Sequence, residues 1–298
     1  MNYVDAHHHI WPATGLPWLD GPMIPRIFGP YEPLQGKAYS IDEYKADAIA
    51  EDFSQSVYVQ ANWTLEDSVK EVRWVHEQHE RTGWPHAIVG SADLFAPDAL
   101  DTVQASLEAS PLLRGVRLQL HWHDTVEAYR FASGPDRASD RTFNENLANL
   151  PGLGLVFELQ VFPNQLASAL ELVAAHPDLT FVLIHAGMPI AGEPWRDALT
   201  RLSHHANVNV KLSGQGTFVH RVDPELIADV TKVVLDTFGA GRAMFGSNFP
   251  IESLWTDFSS LIDAWLGVLA EYPDQVRADV LGRTARRIYR LAEEEDQG

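Results

Sequence analysis

Eight short apolar runs alternate with longer amphipathic stretches along the chain, and this alternation limits its fold more than any other feature. The runs cover residues 3–9, 56–61, 86–92, 115–120, 154–160, 180–185, 208–213 and 242–247. They are rich in Val, Leu, Ile and Phe, and Gly, Pro or Asn often bounds them. Parallel strands buried on both faces need near-continuous apolar runs of this kind. Between them the spacing predicts helices over 40–52, 64–82, 97–109, 140–149, 163–175, 194–205, 223–238 and 256–270, with a last one over 273–292. In the second of these, Leu65, Val69, Val72 and Val75 recur at three- and four-residue steps and draw one apolar face. Thr64 is placed as its N-cap, with Glu66 and Asp67 in the first turn. Pro97, Pro163 and Pro224 fall near helix starts, where a missing N–H costs least.

Eight strands alternating with helices, with no linker and no fixed-period repeat, give one α/β domain over 1–298, a (β/α)8 TIM barrel. The rival architecture is an open doubly wound sheet. The loop after the first strand, 10–39, carries Trp11, Trp18 and prolines at 12, 17, 22, 25, 30 and 33. It is too apolar for a linker and reads as a lid or pocket wall over the barrel mouth. Residues 293–298 form a polar tail expected to fray.

Composition removes several function classes. The chain has no cysteine, which excludes disulfides, thiolate metal sites and a cysteine nucleophile. No apolar run is long enough to span a bilayer. The first residues lack the basic-then-apolar order of a secretion signal, so a cytoplasmic location is expected. A net charge of −19, from 41 acidic and 22 basic side chains, repels nucleic acid and anionic membranes. The expected partner is a small molecule, and local arginines and lysines still leave room for an anionic one. Large acidic barrels often self-associate, but no segment here marks a homo-oligomer interface.

Catalytic groups of such barrels come from the carboxyl ends of strands. The first run ends Asp5-Ala6-His7-His8-His9, and residues two apart share a face, so His7 and His9 aim together while His8 turns away. The sixth run is wholly apolar from Phe181 until His185. Imidazoles bind Zn²⁺ and move protons. The other strand ends carry Arg117 with His121 beyond it, Glu158 and Gln160 on one face, Lys211, and Asn248 followed by Glu252. Arg117, Glu158 and Lys211 read equally well as internal ion pairs, because a buried charge needs a partner. Trp63, Trp122, Trp195 and Trp255 follow strand ends or lie on nearby loops, as walls for an organic substrate or as plain packing.

These residues fall in a recognisable pattern. Asp5-Ala6-His7-His8-His9-Ile10-Trp11, Leu113-Arg114-Gly115-Val116-Arg117, Leu183-Ile184-His185-Ala186-Gly187-Met188-Pro189, Val210-Lys211-Leu212-Ser213-Gly214 and Met244-Phe245-Gly246-Ser247-Asn248-Phe249-Pro250 span nearly the whole chain. Together they resemble the amidohydrolase superfamily, in the amidohydrolase 2 branch that includes sugar-lactone and pyrone-dicarboxylate lactonases. The resemblance implies a distorted (β/α)8 barrel. It also implies that His7, His9 and His185 bind one divalent ion, Zn²⁺ first, or polarise a carbonyl without one. In that pattern a carboxylate ends the eighth strand as ligand or base; here Asn248 stands there, and an amide is neither a base nor a good ligand. Glu252 is then the first candidate base and Glu158 the second. No lysine near the end of strand four supports a two-metal bridge.

The expected reaction is water attack on a small lactone or related cyclic ester, with Arg117, Lys211, Gln160, His121 and Trp63 around the substrate. The alternatives are a metal-dependent decarboxylase of an unsaturated or aromatic acid, and a barrel that binds a ligand without turnover.

Overall fold

A computed structural model of the chain describes residues 2–190 and 194–292; the expected frayed tail lies outside the described residues. Eight parallel strands run in sequence order around one sheet: β1 Tyr3–His8, β2 Phe53–Val59, β3 Ala87–Gly90, β4 Leu113–Gln119, β5 Val156–Gln160, β6 Phe181–Leu183, β7 Val208–Leu212 and β8 Ala243–Phe245. The first and last strands are joined beyond their ends, where the Asn248 N–H donates to the His7 carbonyl and the His9 N–H to the Phe249 carbonyl, both at 2.7 Å. This is a (β/α)8 barrel, not an open doubly wound sheet, which would leave β1 and β8 apart. Among the described residues no helix is long and apolar enough to cross a membrane.

Valines, two alanines and one methionine fill the barrel: Val4, Ala6, Val57, Val59, Ala87, Val89, Val156, Val182 and Met244. Their packing leaves no pore. Ala285, Ile288, Tyr289 and Leu291 of the C-terminal segment join this cluster and plug its lower end. The outward faces carry larger rings such as Phe157, Phe181 and Phe245, which meet the helices. Burying one such side chain contributes roughly 1.5–3 kcal/mol, so the sandwich of strand, ring and helix dominates stability.

The helices start where the chain supplies caps. Ser40 and Glu43 form a reciprocal capping box on Ile41–Ala50, and Asp140, Asp223 and Asp257 cap Arg141–Leu147, Pro224–Phe238 and Phe258–Leu269. Thr64 does not act as the expected cap. Leu65–Asp67 forms a 3-10 turn without a side-chain cap bond, and the α-helix begins at Ser68. The single helix expected over 273–292 runs from Asp274 to Tyr289 with a π-turn at Asp279–Arg283 inside it, and Arg290 ends it in the left-handed region.

Strand ends also differ from the apolar runs. β2 and β4 begin earlier than expected, at Phe53 and Leu113, while β6 stops at Leu183 and β8 at Phe245. After β6 the chain turns through left-handed backbone at His185, Ala186 and Met188 (φ 52°, 51° and 52°); after β8, Asn248 does the same at φ 57°. Hydropathy continues through these residues, but their geometry is that of a turn.

The loop 10–39 folds back over the barrel mouth and packs on itself. Trp11 and Tyr39 exchange backbone hydrogen bonds at 3.0 Å and close its base. Trp11, Trp18, Phe28 and Tyr31 pack within it, edge to face except for the tilted Trp18–Tyr31 pair, and the Trp18 Nε1–H donates to the Ala61 carbonyl at 2.9 Å. A covering anchored in this way by tryptophans is a roof fixed to β2.

Candidate active site

The carboxyl end of β1 delivers two imidazoles to one place. The rings of His7 and His9 lie 5.1 Å apart, and His185 from the turn after β6 lies 4.9 Å from His7. His8 faces the other way, stacked 3.7 Å from Tyr44 with its Nε2 at 3.0 Å from Ser56 Oγ. The β1–β2 register slips between Asp5 and His8, so the inward face passes from Ala6 to His7 without strict alternation.

Each ring is held differently. The Val59 carbonyl can only accept, so His9 Nδ1 carries the proton in that 2.7 Å contact and Nε2 is left for Asn248. His185 Nδ1 meets Ser213 Oγ at 2.8 Å, and the turn beneath it is pinned by the Trp195 Nε1–H donating to the Ala186 carbonyl at 2.7 Å. His7 is fully buried, with neither ring nitrogen partnered among the described residues. Burial pushes all three rings well below the usual histidine range, His9 to about 3, with Lys211 next for His7 and Arg117 next for His9 and His185. The cluster is therefore neutral at pH 7.

Asn248 and Glu252 form the opposite side. The Asn248 Nδ2–H donates to Glu252 Oε1 at 3.1 Å, and the Trp255 Nε1–H to Oε2 at 2.8 Å. Burial lifts the Glu252 carboxyl from about 4.5 to about 7. An acid raised on folding stabilises the fold below its unfolded pKa, and that stability is lost as pH rises through the folded one. Wild-type Tm is thus expected to fall between about pH 4.5 and pH 7 more steeply than that of Glu252→Gln. Parallel thermal melts across this range check it, and identical slopes would count against a protonated Glu252.

A roofed cavity opens onto His9, His185 and Asn248. His9, His185, Asn248 and Arg117 line it from the barrel, Gln160 and His121 from the ends of β5 and β4, and Trp11, Trp18 and Phe28 from the lid. His7 lies behind His9 and His185 and does not line it. Gln160 Nε2 faces Met188 Sδ at 3.6 Å and its Oε1 has no partner; burial lowers His121 to about 3. Trp63 does not line this cavity; it borders an adjoining chamber. Of the other tryptophans, Trp122 lies under the Arg130 guanidinium, while Trp195 and Trp255 spend their N–H groups on Ala186 and Glu252.

Three expected roles change with depth. Lys211 and Glu158 are fully buried, bond each other at 2.5 Å, and do not line the cavity. The Tyr289 hydroxyl donates to the same Glu158 oxygen at 2.6 Å. Neither is placed to hold substrate or take a proton from water; they form an internal ion pair one layer below the site. Glu252 also sits out of the cavity, one amide away through Asn248. The expected metal ligands are His7, His9 and His185. Among the described residues no three His, Asp or Glu side chains are grouped to hold an ion. Val59 and Ser213 engage the Nδ1 atoms of His9 and His185, which turns Nε2 of each ring the other way, while the eighth-strand position offers an amide, a poor donor to a metal.

Sequence reasoning missed Arg26, which lines the cavity from the lid, and Ser213, which orients His185. Arg26 is the one arginine in 10–39, a signal visible beforehand. Ser213 stands two residues after Lys211, on the same face and one layer higher.

The family model described as Amidohydrolase matches residues 4–291. The chain belongs to the amidohydrolase family. An amidohydrolase from Burkholderia multivorans, crystallised with zinc, superposes with a TM-score of 0.81 at 26% identity, covering 98% of this chain and 100% of that one. An L-fucono-1,5-lactonase of Burkholderia ambifaria is 30% identical over 305 residues, 97% of this chain and 95% of its own. A Sinorhizobium fredii protein known only as y4mH is 28% identical over 294 residues, 97% and 98% of the two chains. As an amidohydrolase the chain is a hydrolase, and its strand-end histidines sit in the part of the barrel where such enzymes do their chemistry.

Proposed function

We propose that this amidohydrolase opens a small lactone by direct attack of water on the ring carbonyl. The observation that carries the reading is the gathering of His9, His185, Arg117 and Asn248 around the inner end of one roofed cavity. Relatives named as lactonases support the same reaction class.

Arg117 is 3% exposed; one of its Nη2–H groups donates to the Gln60 carbonyl at 2.5 Å, and its Nε–H has no partner. It polarises the lactone carbonyl and stabilises the oxyanion that forms there. Asn248 and His185 hold the water between them. With Nδ1–H donating to Ser213 Oγ, the tautomer this role requires, His185 Nε2 takes the water proton and returns it to the ring oxygen as the C–O bond breaks. Burial makes His185 a weak base at rest, but the oxyanion growing nearby raises its proton affinity in the transition state. Glu252 fixes the Asn248 amide and takes no proton from water directly. Among the residues first expected at the substrate, Gln160 and His121 stay in that role; Trp63 faces only the side chamber.

The zinc in the relative raises the question of a metal here. The donor set in this chain is not grouped for one, so every step above uses protein groups. Acid release from a lactone panel, L-fucono-1,5-lactone included, tests the reaction. CO2 release from unsaturated or aromatic acids would favour a decarboxylase instead, and tight binding with no turnover a binding barrel. Activity is expected to stay within about twofold after dialysis against a strong chelator. Loss that is restored by Zn²⁺ alone would overturn the metal-free reading.

A further inference from the structure

The active-site cavity has a neighbour. A second chamber lies beneath the lid, bordered by Trp63 and Leu65, and it shares Arg26, Gln60, Asn62, Arg117 and Gln119 with the first. Two cations thus stand where the chambers meet, one from the lid and one from β4. Among the described residues, no Asp or Glu lines either space, in a chain with 41 acidic side chains against 22 basic ones.

Neither arginine has an ion-pair partner among the described residues. Arg117 feels Glu158 and Glu71 from below, but Glu158 is bonded to Lys211 and Tyr289, and Glu71 to Tyr58 and the Ala61 N–H. Arg26 lies 5.0 Å over the Phe131 ring and bonds Tyr31, with its Nε buried and unpartnered. A half-buried guanidinium without a counter-ion costs stability unless a ligand supplies the charge. The planar fork of arginine matches a carboxylate better than a sugar hydroxyl.

We infer that the substrate is a lactone bearing a carboxylate on its ring or side chain, and that Arg26 is the residue that reads it. This rests on the lactone reading above and narrows it: Arg117 faces the carbonyl to be attacked, while Arg26 holds the anionic substituent at the junction of the chambers. The lid then serves as part of the recognition surface as well as a roof. L-Fucono-1,5-lactone, the substrate named for two relatives, has no such group, so this chain separates from them in charge preference.

The test compares glucaro-γ-lactone with glucono-γ-lactone, which share a ring and differ by a carboxylate in place of a hydroxymethyl. Wild type is expected to favour the carboxylate by about 10-fold or more in kcat/KM, chiefly through KM. Arg26→Gln should shrink the ratio to below about threefold, and Arg26→Lys should leave an intermediate value. A wild-type preference for the neutral lactone, or a ratio untouched by Arg26→Gln, overturns the inference. A second arm works without turnover: furan-2-carboxylate and furfuryl alcohol are titrated against the fluorescence of Trp11 and Trp18. Tighter binding of the acid that is lost in Arg26→Gln, with no lactone hydrolysed, sinks the lactone reading and keeps the anion subsite. Equal binding of acid and alcohol removes the subsite whatever the kinetics show.

Discussion

His185→Ala is expected to lower kcat by about 100-fold or more on any lactone the protein opens, while the barrel stays folded. The ring sits on a turn held by the Trp195–Ala186 bond, which the substitution leaves in place. The space it vacates faces the cavity, so packing loss is modest. KM should change less than kcat, because the ring acts on the water and not on the ground-state substrate. Ser213→Ala removes the contact that orients the ring and should cost about 10-fold in kcat with little effect on Tm. Near-normal turnover by His185→Ala would refute its role as the proton carrier, and Asn248 with Glu252 would become the next site to dissect.

The largest stability effect is expected one layer lower. Lys211→Met leaves buried Glu158 with the Tyr289 hydroxyl as its one hydrogen-bond partner among the described residues, and should destabilise by roughly 3–5 kcal/mol in urea denaturation. Glu158→Gln strands the ammonium, whose pKa burial already pulls down to about 8 against the attraction of Glu158, and should cost a similar amount. The double replacement by Met and Leu should recover most of the loss, since a matched apolar pair replaces a matched ionic one. Single variants that lose less than about 1 kcal/mol would show the pair to be solvated in solution.

Much of the barrel was readable because both faces of each strand are buried, so hydropathy marks strand positions directly. Strand ends were less readable. The apolar run through Ile184 and the Met244–Phe245–Gly246 stretch carry no sign that His185 and Asn248 sit in left-handed backbone. Two-residue periodicity gave the inward face correctly for His7 and His9, and for Glu158 with Gln160, but it says nothing of depth. Gln160 reaches the cavity while Glu158, two residues earlier, lies in the layer beneath. The same step separates Ser213 from Lys211. Arg26 stands out in the sequence as the one arginine of 10–39, but its place does not, because the path of a loop across a barrel mouth is set by where its tryptophans dock, and local pattern does not encode that.

The seam between β1 and β8 has a consequence for biosynthesis. The Asp5 carboxylate accepts from the Ser247 N–H at 2.8 Å and from its hydroxyl at 2.6 Å, a bond between residues 242 apart. A nascent chain that has emerged through β7 already holds every imidazole of the cluster, yet it has neither Asn248 nor the strand that covers the open edge of β1. Until translation delivers them, that edge is a pairing surface for other chains. Catalytic competence and protection from aggregation therefore arrive together, at the last strand off the ribosome.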